Sequence, residues 1–189
     1  MRSLWTSTMF AGASFFFSKS VSALELKGVT LAEEIVVHEK TLKLNGAGLS
    51  QATFLHLDVY VAGLYLQSET HSAAEVLKAT PPKAVEMEFL RTIKKETIAQ
   101  SWKEGLEKNC APHCAKLKSS FATFYKLMES VKPGERMRFV VKDEGTEIYI
   151  REELKGEVLG KDFNQALMQV WFGPNPPNLK LQHGMLGIK

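Results

Sequence analysis

Three side chains that could bind a ligand or exchange a proton stand at alternate positions of the segment 54–66: His56, Asp58 and Tyr60. Because side chains alternate across a β-strand, all three are predicted to project from one face. A metal site would need a third ligand from elsewhere, and the sequence contains neither an HxH nor an HExxH pattern. His56 and Asp58 therefore indicate either contacts to a shared ligand or an ordinary solvated strand face.

Tyr60 has an apolar ring with one polar tip, which suits an amphipathic ligand. The same strand face continues with Ala62, Leu64 and Leu66, so it changes from polar to apolar along its length. Such a gradient suits a ligand with a polar head and an apolar tail. The alternative is a tyrosine at the edge of the core, hydrogen-bonded to a neighbour.

Arg91 follows a second alternating segment, in which Val85, Met87, Phe89 and Ile93 share its periodicity. It is therefore expected to point toward the buried side. A buried guanidinium requires an internal acid, backbone carbonyls or an anionic ligand as its partner. A bulge at the end of the strand would instead turn Arg91 to solvent.

The first residues resemble a signal peptide. An apolar run without charge, residues 4–17, follows Arg2 and leads to Val21 and Ala23 at the positions that a signal peptidase reads. The run is shorter than the roughly 20 residues that cross a bilayer, which favours a cleaved peptide over an anchor. We expect residues 1–23 to be removed, which leaves 24–189 as one domain exported to the periplasm or cell envelope.

The charge of this domain argues against a nucleic-acid partner. Removing residues 1–23 takes away Arg2 and Lys19 and no acidic residue, so the net charge falls from +3 to +1. A nucleic-acid-binding domain usually carries a strong basic footprint. The sequence also contains no phosphate loop, dinucleotide fingerprint or GxSxG motif, so no cofactor is predicted.

Cys110 and Cys114, in the segment NCAPHC, are the only cysteines of the chain. Their spacing is neither the CxxCH of haem attachment nor a CxxC redox pair. Pro112 disfavours a continuous helix between them, and an exported protein meets an oxidising compartment. We predict a local disulfide, with a metal site including His113 as the alternative.

The periodicity of the chain predicts an α+β fold with a mostly antiparallel sheet and helices on one side. The strands are expected at 54–66, 84–93, 136–142, 146–151 and 157–159, and the helices at 71–80, 96–109, 112–128 and 163–171. A further stretch, 173–177, is expected to be an extended loop.

Six segments, in order, give the chain a family resemblance. They are LNGAGLS (44–50), DVYVAGLYLQ (58–67), MEFLRTIKKETIAQSWKEGLEKN (87–109), GTEIYI (145–150), GKDFNQALMQVWFG (160–173) and LKLQHGMLG (179–187). Together they resemble the bacterial chalcone-isomerase-like proteins over roughly 29–187. The resemblance implies an open-faced β-sandwich, a large antiparallel sheet with helices layered on it and a ligand cleft between.

The wider superfamily contains isomerases that close a flavanone ring and relatives that bind fatty acids without catalysis. The resemblance implies that Ser50 occupies the position of a catalytic arginine of the isomerases, and that Tyr60 occupies the position of their catalytic threonine. A serine hydroxyl cannot replace a guanidinium that pairs with an oxyanion. We therefore expect a non-catalytic binder of a fatty acid or similar amphiphile, with Tyr60, Arg91, His56, Asp58 and Ser50 at the ligand. The alternative is an isomerase or intramolecular lyase acting on a chalcone-like enone.

Overall fold

The computed structural model describes residues 23–52 and 57–188. Within them a hairpin of β1 and β2 packs beside a seven-stranded antiparallel sheet with the order β3-β4-β5-β6-β7-β8-β9. The strands are β1 (Ala23–Leu26), β2 (Val29–Ala32), β3 (Glu34–Val37), β4 (Lys40–Ala52), β5 (Leu57–Leu66), β6 (Lys83–Phe89), β7 (Arg136–Val141), β8 (Gly145–Ile150) and β9 (Glu153–Leu159). Each strand of the large sheet therefore pairs with its neighbour in sequence.

Five helices cover one face of this sheet in the described part of the chain. They are α1 (Ala73–Lys78), α2 (Lys95–Asn109), α3 (Lys118–Lys126), α4 (Lys161–Phe172) and α5 (Leu179–Met185), with a 3₁₀ turn at Cys114–Leu117 before α3. The predicted α+β class, with an antiparallel sheet and helices on one side, is confirmed. The predicted helix 112–128 is divided into the 3₁₀ turn and α3. The strands β1 to β4 and the helix α5 had no counterpart in the sequence prediction.

The main core lies between the helices and the inner face of the sheet. Ala62, Leu64 and Leu66 of β5 are completely or almost completely buried there, against helix residues such as Leu106 and Leu167. The apolar half of the predicted gradient therefore packs against protein and leaves no room for a ligand tail. The outer face is covered in part by the β1–β2 hairpin, where Leu31 packs against Val61.

A β-bulge interrupts the regular alternation at the beginning of β5. Ser50 of β4 opposes Tyr60, whereas Gln51 opposes Asp58, so Val59 has no partner in β4. The extra residue reverses the direction of the side chains that precede it. The expectation that Asp58 and Tyr60 share a face is therefore wrong.

Asp58 instead contacts the β1–β2 hairpin. Its carboxylate accepts a hydrogen bond from Gln51 Nε2 at 2.6 Å and pairs with Lys27 at 3.2 Å. Both partners hold the pKa of Asp58 below its usual value. His56, the third predicted residue of this face, lies outside the described residues.

The strand that was predicted over 84–93 ends earlier, at Phe89. Leu90 N donates to Val59 O, and the chain then leaves the sheet, so Arg91 is exposed. The expectation of a guanidinium pointing into the buried side is therefore wrong. The exposed alternative is the one observed.

Cys110 and Cys114 are joined by a disulfide bond, the pairing that the sequence predicts, with their Cα atoms 5.0 Å apart. Cys110 caps the C-terminal end of α2, and the 3₁₀ turn begins at Cys114. The bond therefore fixes the short connection that leads from α2 to α3.

Lys83, the first residue of β6, is a buried cation with only 4% of its surface exposed. Its Nζ donates to the carbonyl oxygens of Val76 at 2.8 Å, Leu77 at 3.2 Å and Ala79 at 3.2 Å. These carbonyls belong to the end of α1, where a cation is favoured. Burial lowers the pKa of Lys83 to about 8.

This pKa predicts that stability increases in mild alkali. The unfolded chain keeps the ordinary value of 10.5, so it binds more protons than the folded state between about pH 8 and 10.5. The three carbonyl bonds favour the charged amine, so we expect a gain in the free energy of unfolding of only about 1 to 2 kcal/mol.

Urea unfolding at about pH 7.5 and 9.5 measures this gain. Lys83→Met should be less stable at both pH values and lack the gain, whereas Lys78→Met, at an exposed lysine of the same helix end, should keep it. The same pH dependence in all three proteins would contradict the assignment to Lys83.

Candidate functional site

A cavity of about 1100 Å³ lies where β4, β5 and β6 meet the helices α2 and α4. The end of β4, the bulged start of β5 and the end of β6 form one side, and the loop 173–178 forms part of the rim. The inner wall is mainly apolar and includes Met87, Phe89, Ile98, Trp102, Val170 and Trp171. Its volume is slightly above the range of about 300 to 1,000 Å³ that is usual for pockets that bury small molecules.

Tyr60 and Ser50 meet on the cavity wall, directly opposite each other across β4 and β5. The Tyr60 ring packs edge-on against Phe89, with the ring centres 5.9 Å apart. Burial raises the pKa of Tyr60, and the nearby side chains of Ser50 and Trp171 oppose this rise. Tyr60 is therefore a neutral hydroxyl at ordinary pH, partly accessible because it borders the cavity.

The indole of Trp171 contributes an unusual polar group to the same wall. Trp171 is 1% exposed, and its Nε1 forms no hydrogen bond of good geometry with any described residue, although it lies close enough to Tyr60 to influence that pKa. The sequence predicts Trp171 to be a core residue on a helical stripe, and most of its ring is core. Nothing in the sequence indicated the unpaired donor.

The rim carries positive charge. Arg91, Lys94 and Lys108 line the cavity, and all three are exposed, while Glu104 is the one acidic residue among the described lining residues. Arg91 forms no ion pair or hydrogen bond within the described part of the chain. Its guanidinium is therefore available to an anion at the entrance.

The loop 173–178 is held in place by a buried asparagine of α2. Asn109 Nδ2 donates to Asn175 O at 3.1 Å, and Asn109 Oδ1 accepts from Asn175 N at 3.1 Å. Asn175 Nδ2 also donates to Lys108 O at 3.0 Å. This exchange positions Asn175 and the neighbouring prolines at the rim, a role that sequence reasoning missed.

Metal sites and membrane spans can be assessed over residues 23–52 and 57–188. No group of three or more histidine, cysteine, aspartate or glutamate side chains is arranged there to hold a metal ion. None of the described helices has both the length and the apolar character needed to span a bilayer.

The comparison with protein families matches residues 23–187 to the family described as chalcone isomerase-like. The chain belongs to that family. The comparison with curated protein sequences finds no match. The matched residues of this chalcone isomerase-like protein include both the sheet and the helices around the cavity.

A solved structure with a similar fold is a fatty-acid binding protein from Arabidopsis thaliana. The similarity covers 87% of this chain and 96% of that one, with a TM-score of 0.72 and 12% sequence identity. At this identity the likeness establishes only the fold of the chalcone isomerase-like protein. Any statement about its ligand must rest on the residues of its own cavity.

The predicted ligand-binding residues are therefore only partly brought together. Ser50, Tyr60 and Arg91 line one cavity, with Ser50 and Tyr60 on its inner wall and Arg91 on its rim. Asp58 faces the β1–β2 hairpin instead. Ser50 is 7% exposed and supplies a hydroxyl where the resemblance predicts the catalytic arginine of the isomerases.

Proposed function

We propose that this chalcone isomerase-like protein is an exported, non-catalytic binder of a fatty acid or a similar small amphipathic ligand. The observation that carries the proposal is the division of the cavity into an apolar inner wall and a cationic rim. An acidic head is stabilised by Arg91 and Lys94, while the hydrocarbon chain is removed from water by Met87, Ile98 and Trp102.

A direct binding measurement tests this proposal. Dodecanoic acid, kept below its micelle concentration, should bind to the purified protein with one site in isothermal titration calorimetry. Arg91→Met should weaken that binding about 3- to 10-fold, because an exposed guanidinium contributes only modestly to a charge pair.

Lys118→Met removes an equally exposed cation from α3, away from the cavity, and serves as the control. Its affinity should equal that of the wild type. Equal losses in both variants would mean that the overall charge, rather than the rim, attracts the acid. A wild type that binds no acid at all would overturn the proposal.

The alternative, an isomerase or lyase, requires a cation aimed at a developing phenolate or enolate. The rim cations are exposed, and the neutral Ser50 is the group at the inner wall. We expect no detectable cyclisation of a chalcone by the purified protein. Measurable turnover would favour the alternative.

Export to a bacterial cell envelope is a proposal that rests on residues 1–23, of which 1–22 lie outside the described residues. The Cys110–Cys114 pair is consistent with an oxidising compartment. N-terminal sequencing of the mature protein should begin at Leu24, and a mature pool that begins at Met1 would contradict it.

A further inference from the structure

One hydrogen-bond donor on the inner wall of the cavity has no acceptor of good geometry among the described residues. Trp171 Nε1 is buried and unpaired among the described residues, and an indole nitrogen can only donate. Native proteins rarely leave such a donor without a partner, so each case calls for a specific explanation. Its position on a cavity wall points to an acceptor that the ligand brings.

Two more neutral donors lie beside this indole. Ser50 faces Tyr60 across β4 and β5, and both Ser50 and Trp171 lie close enough to the Tyr60 hydroxyl to lower its pKa. Burial raises that pKa, so the phenol stays protonated at ordinary pH. A hydroxyl can rotate to donate to a ligand oxygen while it accepts from a neighbour. The three groups are therefore neighbours on one part of the cavity wall.

The positions of the charged residues around the cavity determine whether the inner wall favours a charged or an uncharged ligand oxygen. The cations that line the cavity, Arg91, Lys94 and Lys108, are exposed at the rim. A carboxylate at the inner wall would have to lose its water without a cation as partner, which is costly. A carbonyl, ether or hydroxyl oxygen loses far less and satisfies the same donors.

We propose that Trp171, Tyr60 and Ser50 bind an uncharged acceptor oxygen of the ligand at the inner wall. The preferred ligand class is then a chain with a carboxylate at the rim and a second, uncharged oxygen further along, as in an oxo acid or a hydroxy acid. This inference rests on the proposed function, since it assigns the acid end of the ligand to the rim.

A series of twelve-carbon acids tests it. Dodecanoic acid is compared with oxo-dodecanoic acids that carry the ketone at successive positions along the chain, and the measured quantity is the ratio of their dissociation constants. At least one oxo acid should bind about 10-fold more tightly than the unsubstituted acid, because a ketone can accept from the donors of Trp171, Tyr60 and Ser50 at one position of the chain only.

Three variants assign the gain to its residues. Tyr60→Phe keeps the ring and removes the hydroxyl, and Trp171→Phe removes the N–H. Each should reduce the ratio toward 1, even if Trp171→Phe also lowers stability, because a ratio measured within one variant cancels general losses of affinity. Arg91→Met should weaken both acids alike and leave the ratio unchanged.

A neutral ketone, 2-nonanone, separates this inference from the proposed function. If dodecanoic acid binds but no oxo acid binds more tightly, the inner oxygen site is overturned and the proposed function stands. If no acid binds but 2-nonanone binds and loses affinity in Tyr60→Phe, the proposed function fails and the oxygen site stands. A ratio that survives both Tyr60→Phe and Trp171→Phe, or a protein that binds none of the probes, overturns the oxygen site.

Discussion

Gly48→Ala is expected to destabilise the protein by about 3 kcal/mol or more, although it adds only one methyl group. A Cβ atom at Gly48 would overlap the carbonyl oxygen of Leu181 and lie 2.9 Å from that residue's Cα. Both obstacles are backbone atoms. Gly48 of β4 is paired with Ala62 of β5, and Leu181 and Met185 hold α5 in the core, so neither element can move aside cheaply.

Gly156→Ala is a matched control for this substitution. There the new Cβ would approach Leu127 Cδ2 at 2.9 Å, which is the end of a flexible side chain that can rotate away. We expect a loss of less than about 1 kcal/mol. Chemical unfolding of both variants measures the difference, and similar losses would contradict a rigid backbone contact between β4 and α5.

The contact at Gly48 explains part of the family resemblance. The segment 44–50 contributes Gly46 and Gly48, and the segment 179–187 contributes Gly184, whose missing Cβ would lie 2.7 Å from Gly48 Cα. Asn45 Nδ2 also donates to Met185 O at 2.9 Å. These glycines and Asn45 join β4 to the last helix, so this part of the resemblance follows from the fold. Ser50, at the end of the first segment, lines the cavity.

Periodicity predicted the strands β5 to β9, but it indicated neither β1 to β4 nor the bulge in β5. Val59 is an ordinary strand residue, and neither a glycine nor a proline marks its position. The bulge arises from the way in which β5 pairs with β4. The periodicity of a single strand does not predict how that strand pairs with its neighbour. Because Val59 is the extra residue of the bulge, the Asp58 side chain points away from the cavity while Tyr60 lines it.

Arg91 was misplaced for a related reason. The alternation of β6 was extended beyond Phe89, where the backbone leaves the sheet. A strand end is set by the hydrogen bonds that the neighbouring strand still offers, and Leu90 N makes one of the last to β5. The residue nevertheless reaches the cavity, from its rim rather than from its inner wall.

The cavity itself could not be predicted, because its wall is assembled from distant parts of the chain. Ser50 and Tyr60 come from the β4–β5 pair, whereas Trp171 lies more than a hundred residues later in α4. A tryptophan on a helical stripe is usually a core residue, and its sequence position gives no sign of an unpaired N–H. Only the packing of α4 against the sheet brings this donor to Tyr60.

Trp102→Ala is expected to have a large effect on both stability and ligand selection. The Trp102 ring meets Phe124, Phe139 and Trp171 edge-on, with ring centres 5.2, 5.1 and 5.3 Å away. Trp102 also lines the cavity, so its ring separates the core from the cavity. Truncation should lower the free energy of unfolding by about 3 to 5 kcal/mol.

The space left by Trp102 would be continuous with the cavity, whereas the space left by a core aromatic would be closed. Phe163→Ala is therefore the matched control, because Phe163 is completely buried, packs against Phe121 and Phe124, and does not line the cavity. Both variants should lose similar stability. Trp102→Ala, unlike Phe163→Ala, should shift the preferred fatty acid to a longer chain in a titration series of increasing chain length. The milder Trp102→Leu should shift the preference in the same direction. A preference that moves equally in Phe163→Ala, or stays fixed in both Trp102 variants, would show that this ring does not limit the depth of the ligand site.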